Sequence, residues 1–242
     1  MSKTAIVIPA RYKSSRFPGK PLAKILGKEM IFYVGKICEK TIGKKNVHVA
    51  TDDRRIQKKC ESFGFNTLIT PNCPTGTDRV FLASKKIKAN IIINVQGDEP
   101  LIKISDIKKI IQAKKKYPNH VICGYTYIKY TEAKSLNVPK LVINKNNELI
   151  YMSRSLIPGS KIKKMEKKFL KQVCIYAFNK NELRKFFSFK KKFSKNEISE
   201  DIEILRFLEL DIPVKMVKVS GSSIAVDIKS DIKKVESYLR KK

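Results

Sequence analysis

The sequence predicts an α/β protein: a doubly wound, mostly parallel sheet followed by a mixed-strand second half. Three observations predict it. The first half alternates short β-rich runs with amphipathic stretches, the order that builds parallel sheets. Its opening run, Ala5-Ile6-Val7-Ile8-Pro9, is apolar throughout, as a strand covered on both faces requires. Beyond residue 116 the strand-like runs are joined instead by longer, irregular connections.

Taken in order, a polar loop containing Gly19 follows the first strand and leads into a helix over Glu29–Lys40. Val47–Ala50 is the second strand, and Asp52 and Asp53 stand where a helix running through Ser62 needs its cap. Thr67–Thr70 makes a third strand, and the β-branched run Ile91–Val95 a central fourth. Ser105 caps a helix whose Ile107, Ile110 and Ile111 share one stripe. In the second half Val121–Ile128, Lys140–Ile143 and Val173–Phe178 read as strands, and the lysine-rich stretch Ser160–Lys168 reads as a mobile loop. Helices are expected over Lys180–Phe187 and Ser199–Leu210, then a strand over Val214–Val219. A C-terminal helix closes the chain, with Ile228, Ile232, Val235 and Leu239 on one side. No repeat or low-complexity linker interrupts the 242 residues, so a single domain is expected.

A chain of this length buries a core without disulfides or a structural metal. The five cysteines show no CxxC spacing and read as reduced, mostly buried thiols. No stretch approaches the ~20 apolar residues of a membrane span. The short apolar run at the N-terminus is too brief for a signal peptide, so the expected location is the cytoplasm. The formal charge is +30, and only nine of the 52 basic residues are arginine. Lysine is a compact hydrated charge and lacks the planar fork that reads base edges. Two readings remain: a lysine-biased solvated surface, or a nucleic-acid interface. Lysines alternating with apolar positions, without interleaved aromatics, favour the first. Either way, the field attracts a polyanion.

Four segments can carry chemistry. The loop after the first strand, Pro9-Ala10-Arg11-Tyr12-Lys13-Ser14-Ser15-Arg16-Phe17-Pro18-Gly19-Lys20-Pro21-Leu22, gathers cations, hydroxyls and a glycine at a sheet's ligand-binding edge. Such groups cradle phosphates, although the loop matches neither a P-loop nor GxGxxG; a basic solvated loop is the plainer alternative. Asn94-Val95-Gln96-Gly97-Asp98-Glu99-Pro100 follows the central strand, and Asp98 suits Mg²⁺ or merely caps a turn. Thr75-Gly76-Thr77-Asp78-Arg79 either caps a helix or grips a nucleobase or ribose. Asp227, between a strand and a helix, is a metal ligand or an N-cap.

The first-strand segment Ile6–Leu22 resembles the nucleotide-binding signature of the 3-deoxy-manno-octulosonate (Kdo) cytidylyltransferases, the CMP-Kdo synthetases. Ala50–Asp53, Thr75–Arg79, Asn94–Pro100, Tyr151–Pro158 and Val226-Asp227 resemble further motifs of that family, in its order and across nearly the whole chain. The resemblance implies transfer of CMP from CTP to the sugar acid, with Mg²⁺, for lipopolysaccharide or capsule synthesis. It implies that Ala10, Arg11, Ser14, Arg16, Lys20, Thr77, Arg79 and Gln96 bind CTP, and that Asp98 and Asp227 hold the metal. Lys20, Asp98 and Asp227 would form the catalytic set. Gln96, Arg154, Gln172, Tyr176, Glu200 and Glu203 would receive the sugar, with Glu200 and Glu203 on one helix face. It implies a nucleotide-binding half over about residues 1–116, and a sugar-binding half over 117–242 that builds a homodimer.

Departures gather in the sugar half. The family's His-x-Gly-Ile-Tyr is Gln172-Val173-Cys174-Ile175-Tyr176, its Glu-x-x-Glu-Gln-Leu-Arg has Ile204 in place of glutamine, and its Gly-Val-Asp-Thr is Ala225-Val226-Asp227-Ile228. A pocket that hydrogen-bonds a given hydroxyl rejects an analogue lacking it. A related acid, 8-amino-Kdo or a nonulosonic acid, is therefore the alternative substrate. A basic nucleic-acid-binding protein on the same fold is the alternative of another class.

Overall fold

The apolar opening run forms β1 (Thr4–Ala10), buried from Ala5 to its end. The structure, a computed structural model, describes residues 3–14, 17–161, 168–221 and 223–241. After β1 come the short strands β2 (Lys24–Ile25) and β3 (Lys28–Glu29), then α1 (Met30–Ile42), β4 (Val47–Thr51), α2 (Arg54–Ser62), β5 (Asn66–Ile69), α3 (Gly76–Ser84) and β6 (Ile91–Val95). The order β6-β1-β4-β5 is parallel throughout, with Ile6 opposite both Val47 and Ile93. Every residue of β6 is buried, as its β-branched composition demands.

Local chemistry sets the helix starts. The Asp53 carboxylate accepts from the amides of Arg55 and Ile56 and caps α2. Thr75 caps α3; its hydroxyl accepts from the Asp78 amide at 3.1 Å. Helix α4 (Ile104–Lys116) already includes Ser105, expected as its cap.

The chain divides into two compact units, Met1–Lys108 with Ser222–Lys242, and Lys109–Gly221. The second holds β7 (Val121–Lys129), α5 (Tyr130–Ala133), β8 (Lys140–Ile143), β9 (Leu149–Ser153), β10 (Lys168–Asn179), α6 (Lys180–Phe189), α7 (Lys195–Glu200), α8 (Leu205–Leu208) and β11 (Val214–Lys218). Its sheet is mixed. β11 runs parallel to β7, β10 antiparallel to β7, and the β8–β9 hairpin pairs with β10. A bulge interrupts the β10–β7 register between Val173 and Tyr176.

Several expectations need correcting. The helix expected over Ser199–Leu210 is two pieces. Asp201 takes a left-handed φ of 49° and ends α7, while Ile202, Ile204 and Leu205 turn inward, a spacing no single helical stripe provides. Glu200 and Glu203 therefore do not share a helix. Of the stretch expected as a mobile loop, residues 162–167 lie outside the described residues, and Lys168 already belongs to β10. Helix α9 (Lys229–Arg240) belongs with the first unit, not with a second half beginning at 117. Ile228 is exposed and occupies the position just before α9 rather than joining its apolar side.

All five cysteines are free thiols, and four of them are buried. Among the described residues no helix is long and apolar enough to cross a membrane.

Candidate active site

The loop after β1 is held from several sides. Gly19 has φ 71° and its amide donates to the Tyr12 carbonyl at 2.8 Å; a side chain there would press on the Tyr12 ring at 3.2 Å. The Arg55 guanidinium lies 3.4 Å over that same ring. Phe17 joins a buried cluster with Ile25, Met30, Leu101, Val226 and Val235. That cluster does the positioning. Phe17 lies just before Lys20, Leu101 just after Asp98, and Val226 immediately before Asp227, so burying the apolar residues draws the charged ones together.

The result is a three-residue ionic centre. The Lys20 ammonium donates to Asp98 Oδ2 at 2.5 Å and stands 3.7 Å from Asp227 Oδ1. The backbone reinforces it, because the Val226 amide donates to the Asp98 carbonyl at 3.0 Å. Gly97 permits the approach of this turn to the end of β1: a Cβ there would lie 3.1 Å from the Pro9 carbonyl. Ala10 is buried at the end of β1, Arg11 is exposed and Ser14 half-buried; Arg16 lies outside the described residues. Two carboxylates with hard oxygens suit Mg²⁺, which takes one or two protein carboxylates and completes its shell with phosphate and water. Among the described residues no larger group of metal-binding side chains forms.

Thr77 and Arg79, expected to contact CTP, are 1% and 2% exposed. Arg79 is spent on the protein, donating to Thr70 Oγ at 2.7 Å and pairing with Asp52 at 3.0 Å. Gln96 is half-buried in the turn after β6.

Within the second unit the expected sugar residues form two groups. In one, Glu200 accepts from the Ser153 hydroxyl at 2.6 Å and the Arg154 amide at 2.7 Å, while the Arg154 guanidinium donates to the carbonyls of Glu200, Leu136 and Asp201. In the other, Gln172 Nε2 donates to the Tyr176 hydroxyl at 3.2 Å and approaches the Cys123 thiol at 3.9 Å. Burial, then the Cys174 and Cys123 thiols, pushes the Tyr176 hydroxyl far above its usual pKa, with Glu203 adding to the effect. Tyr176 is thus a neutral hydrogen-bonding group, and Glu203 sits close enough to feel it.

A protein-family model described as Cytidylyltransferase matches residues 5–219. The 3-deoxy-manno-octulosonate cytidylyltransferase of Escherichia coli is 36% identical, over 99% of this chain and 97% of the relative. The chain belongs to the Kdo cytidylyltransferase family. An 8-amino-3,8-dideoxy-manno-octulosonate cytidylyltransferase of Shewanella baltica (strain OS185) is 35% identical over 97% of each chain. The solved structure of CMP:2-keto-3-deoxy-manno-octonic acid synthetase, complexed with CTP, superposes with a TM-score of 0.91 at 34% identity, covering 99% of both chains. The Kdo cytidylyltransferase family is one of nucleotidyltransferases, and this chain is one of them.

For a cytidylyltransferase, Asp231 is the residue that the motif reading passed over. Its Oδ2 accepts from the amides of Asp227 at 3.1 Å and Ile228 at 3.2 Å, and its Oδ1 accepts from Lys234 at 2.8 Å. Burial alone raises its carboxyl pKa, but Lys234 and the two amides outweigh burial and hold it below its ordinary value. The available signal was an acidic residue at the third helical position, three after the cap Ile228. Asp231→Ala is expected to cost about 1 kcal/mol in a thermal melt, as other lost caps do. It also frees the amides of Asp227 and Ile228 and so loosens the backbone that carries Asp227.

Proposed function

We propose that this chain transfers CMP from CTP to the anomeric C2 hydroxyl of Kdo, giving CMP-Kdo and pyrophosphate. The observation that carries the reading is one ammonium, Lys20, standing between Asp98 and Asp227 beside a cation-bearing loop at the carboxyl ends of β1 and β6. Open α/β sheets bind their ligands at that edge. Arg11, Ser14 and Lys20, with Arg16, hold the triphosphate, Ala10 and Gln96 flank the nucleotide, and Arg79 and Thr77 brace the wall behind it. The C2 oxygen attacks the α-phosphorus, its proton is lost to solvent, and pyrophosphate leaves against the loop's cations. Mg²⁺, held by Asp98 and Asp227 when bound, supplies charge for the phosphates and acidifies the attacking hydroxyl. Positioning and charge neutralisation do the rest. His48 lies within β4, and His120 approaches Glu148 at 3.4 Å, so neither is assigned as the base.

Gln172, Tyr176, Glu203 and the Ser153–Arg154–Glu200 group receive the sugar acid. A second reading, 8-amino-Kdo as acceptor, is favoured by the substitutions at Gln172 and Cys174 and by the comparably similar Shewanella baltica relative. We place the enzyme in the cytoplasm, where CTP is made, as a homodimer serving lipopolysaccharide synthesis.

The test is direct. Purified protein with CTP, Mg²⁺ and a panel of Kdo, 8-amino-Kdo and a nonulosonic acid should release pyrophosphate, fastest with Kdo. A faster rate with 8-amino-Kdo selects the second reading. No release with any acid, together with salt-sensitive binding to duplex DNA, would replace both with the nucleic-acid alternative.

A further inference from the structure

We propose that Lys20 is a built-in counter-ion that makes metal binding conditional on nucleotide: its ammonium holds the Asp98 and Asp227 carboxylates, and a divalent ion gains them as the ammonium moves onto a triphosphate. The proposal deepens the cytidylyltransferase reading and rests on its assignment of Asp98 and Asp227 to the metal. The ammonium lies 2.5 Å from Asp98 Oδ2 and 3.7 Å from Asp227 Oδ1. Mg²⁺ sits at about 2.0–2.1 Å from its oxygens. An ion on the same carboxylates would stand almost where the ammonium stands, and two cations that close repel. The oxygens serve one or the other.

The backbone on either side of Lys20 is held, so the exchange asks only the side chain to move. Gly19 is tied to Tyr12, the Leu22 amide donates to the Gly19 carbonyl at 2.8 Å, and Pro21 is buried beside Lys20. The movement required is confined to the lysine's four-carbon stem, whose bonds rotate. A triphosphate is a stronger counter-charge than two carboxylates, and the cationic loop that would receive it is the one bearing Lys20. Linkage then runs both ways: nucleotide tightens the metal site, and metal tightens the nucleotide site, by the same factor.

The decisive measurement is a Mn²⁺ titration followed by electron paramagnetic resonance, without nucleotide or sugar, on the intact chain and on Lys20→Met, which keeps the stem and removes the charge. Lys20→Met is expected to bind one Mn²⁺ about tenfold more tightly than the unaltered chain, within the range of site-to-site couplings. Adding Asp98→Asn to Lys20→Met should abolish that binding. A non-hydrolysable CTP analogue, with its own Mn²⁺ binding subtracted, should tighten the unaltered site about tenfold more than it tightens Lys20→Met, where the ion gains only the phosphate oxygens. Equal or weaker Mn²⁺ binding by a Lys20→Met protein that melts normally overturns the proposal, as does tight binding that survives Asp98→Asn. The nucleotide-free arm involves no turnover, so its failure is separable from a failure of the pyrophosphate assay, which concerns the cytidylyltransferase reading alone.

Discussion

Asp98→Asn is expected to cut pyrophosphate release by about a thousandfold, comparable to the loss of a strong transition-state electrostatic contact. The substitution keeps shape and removes charge. The interaction that joins the two carboxylate-bearing segments is the Val226 amide on the Asp98 carbonyl, a main-chain bond that an asparagine preserves. Leu101 and Val226 stay in their apolar cluster, so the melting temperature should hold while activity falls. The Lys20 ammonium would lose the charge of its 2.5 Å partner and keep only the Asp227 carboxylate, 3.7 Å away, as counter-ion. A steady-state measurement at saturating CTP separates the effects: the loss should fall on kcat, with a smaller change in the KM for CTP. Full activity in Asp98→Asn would remove the metal role from Asp98 and leave the ionic centre a structural feature.

The parallel half was legible because its strands announce themselves. β1 and β6 are short, mostly apolar runs, and the charged loops that matter follow them directly, so their chemistry could be placed from order alone. What periodicity could not show is where α9 docks. Its apolar residues say that it is covered, not by what, and its return to the first unit is what carries Asp227 to Lys20. The residues proposed for the sugar were harder to place for another reason. Glu200 and Glu203 have the spacing of helix neighbours, but the helix ends between them because the burial of Ile202 and Ile204 and the left-handed Asp201 override local propensity. The bulge between Val173 and Tyr176 likewise depends on pairing with a distant strand. The surroundings of Tyr176 therefore emerge only once β7 lies alongside.

Glu197→Gln should cost about 3–5 kcal/mol of stability, as breaking a buried ion pair does. Glu197 accepts two bonds from Arg206, at 2.5 and 2.8 Å, and the arginine is fully buried, with its guanidinium 3.6 Å over the Phe186 ring. Burial pushes the Glu197 carboxyl above its ordinary pKa despite Arg206, so desolvation outweighs the attraction that the pair regains. Removing one partner leaves the other charge buried without its counter-ion. In a chain of this size the loss corresponds to a melting temperature lower by roughly 10 °C. The pair also flanks the segment that bears Glu200 and Glu203, the residues proposed to receive the sugar. Loosening that bracket should raise the KM for the sugar acid severalfold while leaving the KM for CTP in place, since Lys20, Asp98 and Asp227 belong to the other unit. The double substitution Glu197→Leu with Arg206→Met should recover most of the melting temperature, as apolar replacements of buried pairs do. A single variant that melts like the unaltered protein would show that the pair is no clamp, and KM values that rise together would show that it does not specifically support the sugar site.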